Sequence, residues 1–214
     1  MKLSLTAQKI YSGIDKETTK LGDLRKIAKQ INKDHDLAME LWTTAEFLPR
    51  QLAILIMDKK RLNQEVIDQL DDDIQKHELD EQNQLIDWLM ANQLMKDKRI
   101  ISLVESWRNI NSKLQRRVFW YYQARLRWMG KTNQTNTEEL LDLIEKNLIK
   151  EEPQVQWAMN YTAGQIGKWQ EKYRDRCISI GEETGLYKDE IVAKNCVPSY
   201  LPEFIRIEVA KLNK

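Results

Sequence analysis

The chain has 214 residues and a formal charge of +1, so it has no global charge that would attract a polyanion. Only 7 Gly and 4 Pro interrupt a sequence rich in Leu, Ile, Lys, Glu and Gln, which predicts an all-α protein. Cys177 and Cys196 lack metal-ligand spacing and suit a reducing cytoplasm better than a disulfide framework. Residues 1–20 are too polar for a signal peptide, and the aliphatic run 52–57 is too short to span a bilayer, so we expect a cytoplasmic protein without a membrane partner.

Amphipathic helical periodicity recurs along the whole chain. The predicted helices are, in chain order, 23–31, 34–44, 46–58, 64–76, 81–95, 98–108, 112–129, 137–149, 154–169, 170–185 and 202–212. Helices centred near Leu52, Leu85, Val118 and Trp157 each follow a shorter helix, at intervals of 33, 33 and 39 residues. This period predicts an α-solenoid of antiparallel helix pairs (HEAT-like repeats), curved with a concave groove and forming a single domain over residues 1–214. An irregular helical bundle is the alternative.

The predicted helix 112–129 contains the sequence KLQRRVFWYYQARLRW at residues 113–128. At 100° per residue, Arg116, Trp120, Gln123 and Arg127 form one narrow stripe, with Lys113 nearby. The residues that we expect on the opposite side, toward the core, are Leu114, Val118, Tyr121 and Tyr122. Arginine donates bidentate hydrogen bonds to phosphate oxygens and an aromatic ring packs on sugar or base, so the stripe suits a DNA backbone. A solvated helix face with local i,i+4 contacts explains the same pattern.

Other motifs give no independent enzyme signature. The acidic run at residues 68–81 lacks the spacing of a calcium loop and reads as a solvated helix end. His35 and His77 have no second ligand at metal-binding spacing, so no metal site is predicted. Gly164 and Gly167 lie within a helical pattern, where we expect them to permit close helix packing.

Residues 24–68, which read LRKIAKQINKDHDLAMELWTTAEFLPRQLAILIMDKKRLNQEVID, resemble the bacterial DNA alkylation repair family, the AlkD-like HEAT-repeat DNA glycosylases. The segments KLQRRVFWYYQ and VQWAMNYTAGQIGKW continue the resemblance, which covers about residues 20–170. It implies a solenoid whose positively charged concave groove binds duplex DNA. It also implies hydrolysis of the N-glycosidic bond of N3- or N7-alkylated purines, with a carboxylate balancing the positive charge on the sugar. No metal or cofactor is implied.

The family's functional positions carry over unevenly. Its backbone-binding Arg matches Arg116, and a Trp that packs on deoxyribose is replaced by Tyr161. Its Trp-Asp-x-x-Asp motif falls at residues 79–83, where Asp80 is kept and Asn83 replaces the catalytic Asp. Because an amide has no net charge, it cannot balance a cation as a carboxylate does. A register shift of one turn would make Asp80 or Asp87 the counterpart.

The expected function is therefore binding of duplex DNA, alkylated or not, with excision of alkylated purines as a further activity. The candidate catalytic residues are Asp80 and Asn83, and the candidate DNA-binding residues are Lys113, Arg116, Trp120, Gln123, Arg127 and Tyr161. Two other functions fit the same sequence. One is a non-catalytic DNA-binding paralogue, and the other is a HEAT-type protein-interaction scaffold.

Overall fold

The structure, a computed structural model, describes residues 3–128, 130 and 134–212. Every regular element within these ranges is a helix, which confirms the all-α prediction. Contacts divide the chain into two compact units, unit 1 (Met1–Ser106) and unit 2 (Trp107–Lys214), each with its own core. The single domain over residues 1–214 stays a prediction. Positions 129 and 131–133, where the helix 112–129 and the break after it were predicted to meet, lie outside the described residues.

Unit 1 is built from seven α-helices in its described part. They are α1 (Leu5–Ser12), α2 (Leu21–Ile31), α3 (His35–Trp42), α4 (Phe47–Ile56), α5 (Gln64–Ile74), α6 (Leu79–Asn92) and α7 (Lys98–Ser106). Asp34 caps α3 by accepting from the Leu37 amide, and Asn63 caps α5 in the same way. Helix α4 is the centre of the unit, because α2, α3 and α6 all pack against it.

Unit 2 contains five α-helices in its described part. They are α8 (Lys113–Arg127), α9 (Thr137–Asn147), α10 (Pro153–Trp169), α11 (Arg174–Thr184) and α12 (Leu201–Leu212). Helix α10 packs along α8 on one side and against α11 and α12 on the other. A Cβ atom at Gly164 would lie 2.8 Å from the Phe204 ring, and one at Gly167 would lie 2.6 Å from Ile205. The prediction that these glycines permit close helix packing is confirmed, and α12 is the helix that approaches.

The eleven predicted helices all form, with ends that differ by a few residues. Helix α11 begins at Arg174 rather than at residue 170, because Glu171–Tyr173 forms a separate 3-10 turn. Helix α1 was not predicted. The helix has eight residues, LTAQKIYS, and only Ala7 among them is buried. It therefore has no apolar stripe from which a helix could be predicted. None of the described helices is long and apolar enough to cross a membrane.

Candidate functional site

The stripe predicted on α8 does not face solvent as expected. Trp120, Gln123 and Arg127 are 3%, 4% and 1% exposed, so their placement on an open DNA-binding wall is wrong. Helix α10 covers this part of α8, and the Thr162 hydroxyl donates to the Trp120 carbonyl at 2.7 Å. The predicted core side is correct for Leu114 and Val118, whereas Tyr121 and Tyr122 are partly exposed.

Arg127 is held inside unit 2 by neutral partners. Its guanidinium donates to the Gln123 carbonyl at 3.0 Å, to Asn136 Oδ1 at 2.7 Å and to Thr137 Oγ1 at 3.2 Å. Burial lowers the pKa of Arg127 to about 10, because desolvation disfavours its charged form. These bonds join the end of α8 to the start of α9, which is a structural role.

Arg116 remains near the surface but is already engaged. One guanidinium nitrogen, Nη1, donates to the carbonyls of Ile110 and Asn111 at 2.9 and 2.8 Å, and Nη2 donates to Glu151 at 2.9 Å. The Arg116 side chain is 17% exposed. Three of its five N–H groups are therefore engaged, and the Nε–H is buried without a partner. Lys113 is partly exposed and has no ion-pair partner among the described residues, so its predicted DNA contact stays a prediction.

Tyr161 lies in an aromatic cluster of unit 2. Its ring stacks on Trp157 at 5.3 Å with an angle of 9°, and Tyr121 and Phe204 meet it edge-on. Arg117 lies 4.5 Å above the Trp157 ring. Burial is the main reason that the pKa of Tyr161 rises to about 12, so the phenol stays protonated at neutral pH. Trp157 and Tyr161 are four residues apart on one helix, so the sequence could have predicted that their rings stack. The sequence could not predict that Phe204 of α12 contacts them.

The candidate catalytic residues lie in unit 1, at the start of α6. Asp80 is exposed, and no hydrogen bond joins its side chain to another described residue. Asn83 is partly exposed, but its Oδ1 is buried and has no hydrogen-bond partner. Leu79, which the predicted register places at the family's Trp, is 48% exposed. The carboxylate of the next residue, Glu81, is hydrogen-bonded to His77 Nδ1 at 2.6 Å. In the first turn of α6, the Asp80 carboxylate is therefore the one without a hydrogen-bond partner among the described residues.

A buried charge network beside this turn was missed from the sequence. Arg50 is 3% exposed and stacks on Trp42, with its guanidinium carbon 4.8 Å from the ring. Its Nη1 donates to the Asp73 carbonyl at 2.7 Å and lies 2.6 Å from His77 Nε2. Because Arg can only donate, Nε2 accepts and the His77 ring carries its proton on Nδ1, toward Glu81.

A basic pocket of about 450 Å³, open to solvent, lies in unit 1 at the C-terminal ends of α2, α4 and α6 and the segments that follow them. Its cationic side chains are Arg25, Lys29, Lys33, Lys59 and Lys96, and none of the eleven residues that line it is acidic. Arg25 is held over the Trp88 ring at 5.1 Å, and Lys59 donates to the Lys96 carbonyl at 2.6 Å. Lys33 pairs with Asp58 at 3.4 Å, while no ion pair joins the side chains of Lys29 and Lys96 to another described residue.

A family model described as DNA alkylation repair enzyme matches residues 18–179. The chain belongs to this family. The chain also aligns, with a TM-score of 0.64, with a solved structure of another protein. That protein is described as one of a new family of proteins related to the HEAT-like repeat DNA glycosylases with affinity for branched DNA structures. It is 18% identical and covers 99% of this chain and 89% of that chain, so it shows the fold alone. The predicted HEAT-like helical repeats are thereby confirmed for this member of the DNA alkylation repair family. No curated protein matches the chain.

Proposed function

We propose that this DNA alkylation repair family member binds DNA through the phosphate backbone at the basic pocket of unit 1. The pocket itself is the observation that carries the proposal. Asp58 offsets the charge of Lys33, but the other four cationic side chains around this depression have no ion-pair partner among the described residues and repel one another unless an anion binds. Lysines also occur at helix ends as partners of the helix dipole, and Lys29 lies in the last turn of α2. The three segments that carry the cations each lie at the C-terminal end of a helix, α2, α4 or α6, so the dipoles account for one cation in each segment. The first segment contributes three, Arg25, Lys29 and Lys33, which is more than its helix end requires.

We further propose that the protein binds DNA without excising alkylated purines. In the register predicted from the sequence, Asn83 stands in place of the family's catalytic carboxylate, and its neutral amide cannot balance a cationic sugar. The family's backbone-binding arginine, Arg116, is engaged with Glu151 and two carbonyls of its own unit. The amide at residue 83 favours the non-catalytic paralogue over an active glycosylase, whereas the engagement of Arg116 argues against a DNA contact at that residue and favours the scaffold. The solved relative is described by its affinity for branched DNA, so duplex and branched DNA are the ligands to compare.

The direct test is electrophoretic binding of purified protein to a duplex and to a three-way junction over a range of salt concentrations. We expect binding to both, with a slope of log affinity against log salt between about −3 and −5, since each neutralised phosphate contributes about −0.9. In parallel, methylated duplex DNA should release no 7-methylguanine or 3-methyladenine above background. Absence of DNA binding at low salt would contradict the proposal and leave the protein-interaction scaffold as the better interpretation.

Replacing Asn83 by Asp tests whether residue 83 accounts for the proposed lack of base excision. The variant Asn83→Asp restores a carboxylate at the position that matches the family's catalytic Asp. We expect measurable release of 7-methylguanine, because a carboxylate stabilises the cationic sugar electrostatically. The matched control is Gln84→Glu, which adds the same charge to the next, exposed position of α6. Equal release by the variant, the control and the wild type would show that residue 83 does not occupy the catalytic position.

A further inference from the structure

Arg25 differs from the other cationic side chains of the basic pocket in how it is held. It lies exposed on α2, and its guanidinium carbon is 5.1 Å from the centre of the Trp88 ring of α6. Trp88 is itself anchored, because its indole Nε1 donates to the Gln51 carbonyl of α4 at 3.1 Å. One arginine of the pocket is therefore packed on a ring that a third helix keeps in place.

The N–H groups of the Arg25 guanidinium have no partner within the described ranges. No hydrogen bond or ion pair joins this side chain to another residue there. Two other arginines that lie over tryptophan rings are different, because Arg50 Nη1 donates to the Asp73 carbonyl at 2.7 Å and Arg117 Nη1 donates to the Gln154 carbonyl at 3.0 Å. In both of these, protein carbonyls accept from the guanidinium. At Arg25 the donors remain available to a ligand.

Packing alone is the simpler explanation of this pair, since an exposed arginine often covers a tryptophan ring. The charges around Arg25 argue against packing as its whole role. Lys29 lies four residues further along the same helix, and like charges at this spacing destabilise a helix. None of the eleven residues that line the pocket is acidic. A packing arginine gains nothing from a second cation one turn away, whereas a phosphate attracts both.

We propose that Arg25 binds one phosphate of DNA through two parallel N–H bonds, and that Trp88 positions Arg25 for this contact. The inference rests on the DNA binding proposed above and names the residue that gives it direction. A guanidinium can donate to both non-bridging oxygens of a phosphate at once, which a lysine ammonium does not do as a planar fork. Because the ring restricts the side chain before DNA arrives, less conformational entropy is lost on binding.

Electrophoretic titrations of the full chain on a duplex, at several salt concentrations, test the Arg25 contact. Arg25→Ala should weaken binding about tenfold and make the slope of log affinity against log salt less negative by about one. Arg25→Lys keeps the charge and therefore the slope, but it loses the paired bonds, so binding should be about threefold weaker. The matched control is Arg125→Ala, which should stay close to wild-type affinity. Arg125 is also exposed and lies 5.8 Å from a tryptophan ring, that of Trp128, but it does not line the pocket.

The role of Trp88 is tested separately. Trp88→Leu removes the ring but keeps every charge, so affinity should fall about threefold while the salt slope stays unchanged. Trp88→Phe keeps an aromatic face and should bind close to wild type, although it lacks the bond to Gln51. The double variant Arg25→Ala/Trp88→Leu should bind no more weakly than Arg25→Ala, because the ring acts through the arginine. An equal loss from Trp88→Leu in both backgrounds would overturn the positioning role.

The outcomes separate this inference from DNA binding itself. If the wild type binds duplex and Arg25→Ala binds as tightly as Arg125→Ala, the Arg25 contact is overturned and DNA binding stands. If Arg25→Lys equals the wild type, charge alone matters and the paired bonds are overturned. If the wild type binds no DNA at low salt, DNA binding and the Arg25 contact fail together. Arg25 is exposed, so its variants should keep the helical circular dichroism of the wild type.

Discussion

The double variant Lys29→Glu/Lys96→Glu is expected to bind duplex DNA on the order of 100-fold more weakly than wild type at moderate salt. Two unit charges 4 Å apart interact by about 1 to 4 kcal/mol near a protein surface, and 1.4 kcal/mol is a factor of ten in affinity. Each reversal removes an attraction to phosphate and adds a repulsion. The slope of log affinity against log salt should also become less negative by about two, one unit for each lost phosphate contact. Electrophoretic titrations at several salt concentrations measure both quantities.

The matched control for this experiment is Lys9→Glu/Lys150→Glu. These lysines are exposed and lie outside the basic pocket, and the control carries the same net charge as the test variant. A general loss of attraction to DNA would weaken both variants equally, whereas the pocket predicts a much larger effect on the first. Lys29 and Lys96 form no ion pair with a described residue, so both proteins should keep their helical circular dichroism. If the two variants bind DNA alike, the basic pocket is not the binding site.

The fold followed from the sequence because its signal is local and repeated. Each helix pair buries an apolar stripe at helical spacing, and the stripes recur at similar intervals along the chain. Helix ends were less accurate, since residues such as Glu171–Tyr173 continue the pattern while folding as a separate turn. The boundary between the two compact units lies between Ser106 and Trp107. No run of Gly, Pro or Ser residues surrounds this point, so the sequence does not mark the division.

The candidate site was harder to predict, because spacing gives the side of a helix and not what covers it. Arg127 and Gln123 look like surface residues by type, yet they are buried with Asn136 as a shared partner. The basic pocket failed to stand out for the opposite reason. Its cations are scattered from Arg25 to Lys96, and only packing of the three segments brings them to one space.

The second large effect is expected in stability, at the buried guanidinium of unit 1. Arg50→Ala should lower the free energy of unfolding by about 3 kcal/mol, the lower end of the range for removing one partner of a buried ion pair. Asp73 keeps 18% of its side chain exposed, so water would offset part of the loss. Burial raises the pKa of Asp73, but bonds from Lys76 and Trp42 and the charge of Arg50 outweigh it and leave the pKa low.

Urea denaturation followed by circular dichroism measures this change. Arg61→Ala is the matched control, because Arg61 also pairs with an aspartate of unit 1, Asp36, at 2.7 Å, but is 55% exposed. An exposed pair contributes less than about 1 kcal/mol, so the control should scarcely move the midpoint. Arg50→Lys should fall between wild type and Arg50→Ala, since an ammonium keeps the charge but loses the planar contacts to Trp42 and His77. If Arg50→Ala is as stable as Arg61→Ala, the network contributes no more than a surface ion pair. The loss expected for Arg50→Ala would instead show that the buried guanidinium stabilises unit 1 through its contacts with Trp42, Asp73 and His77.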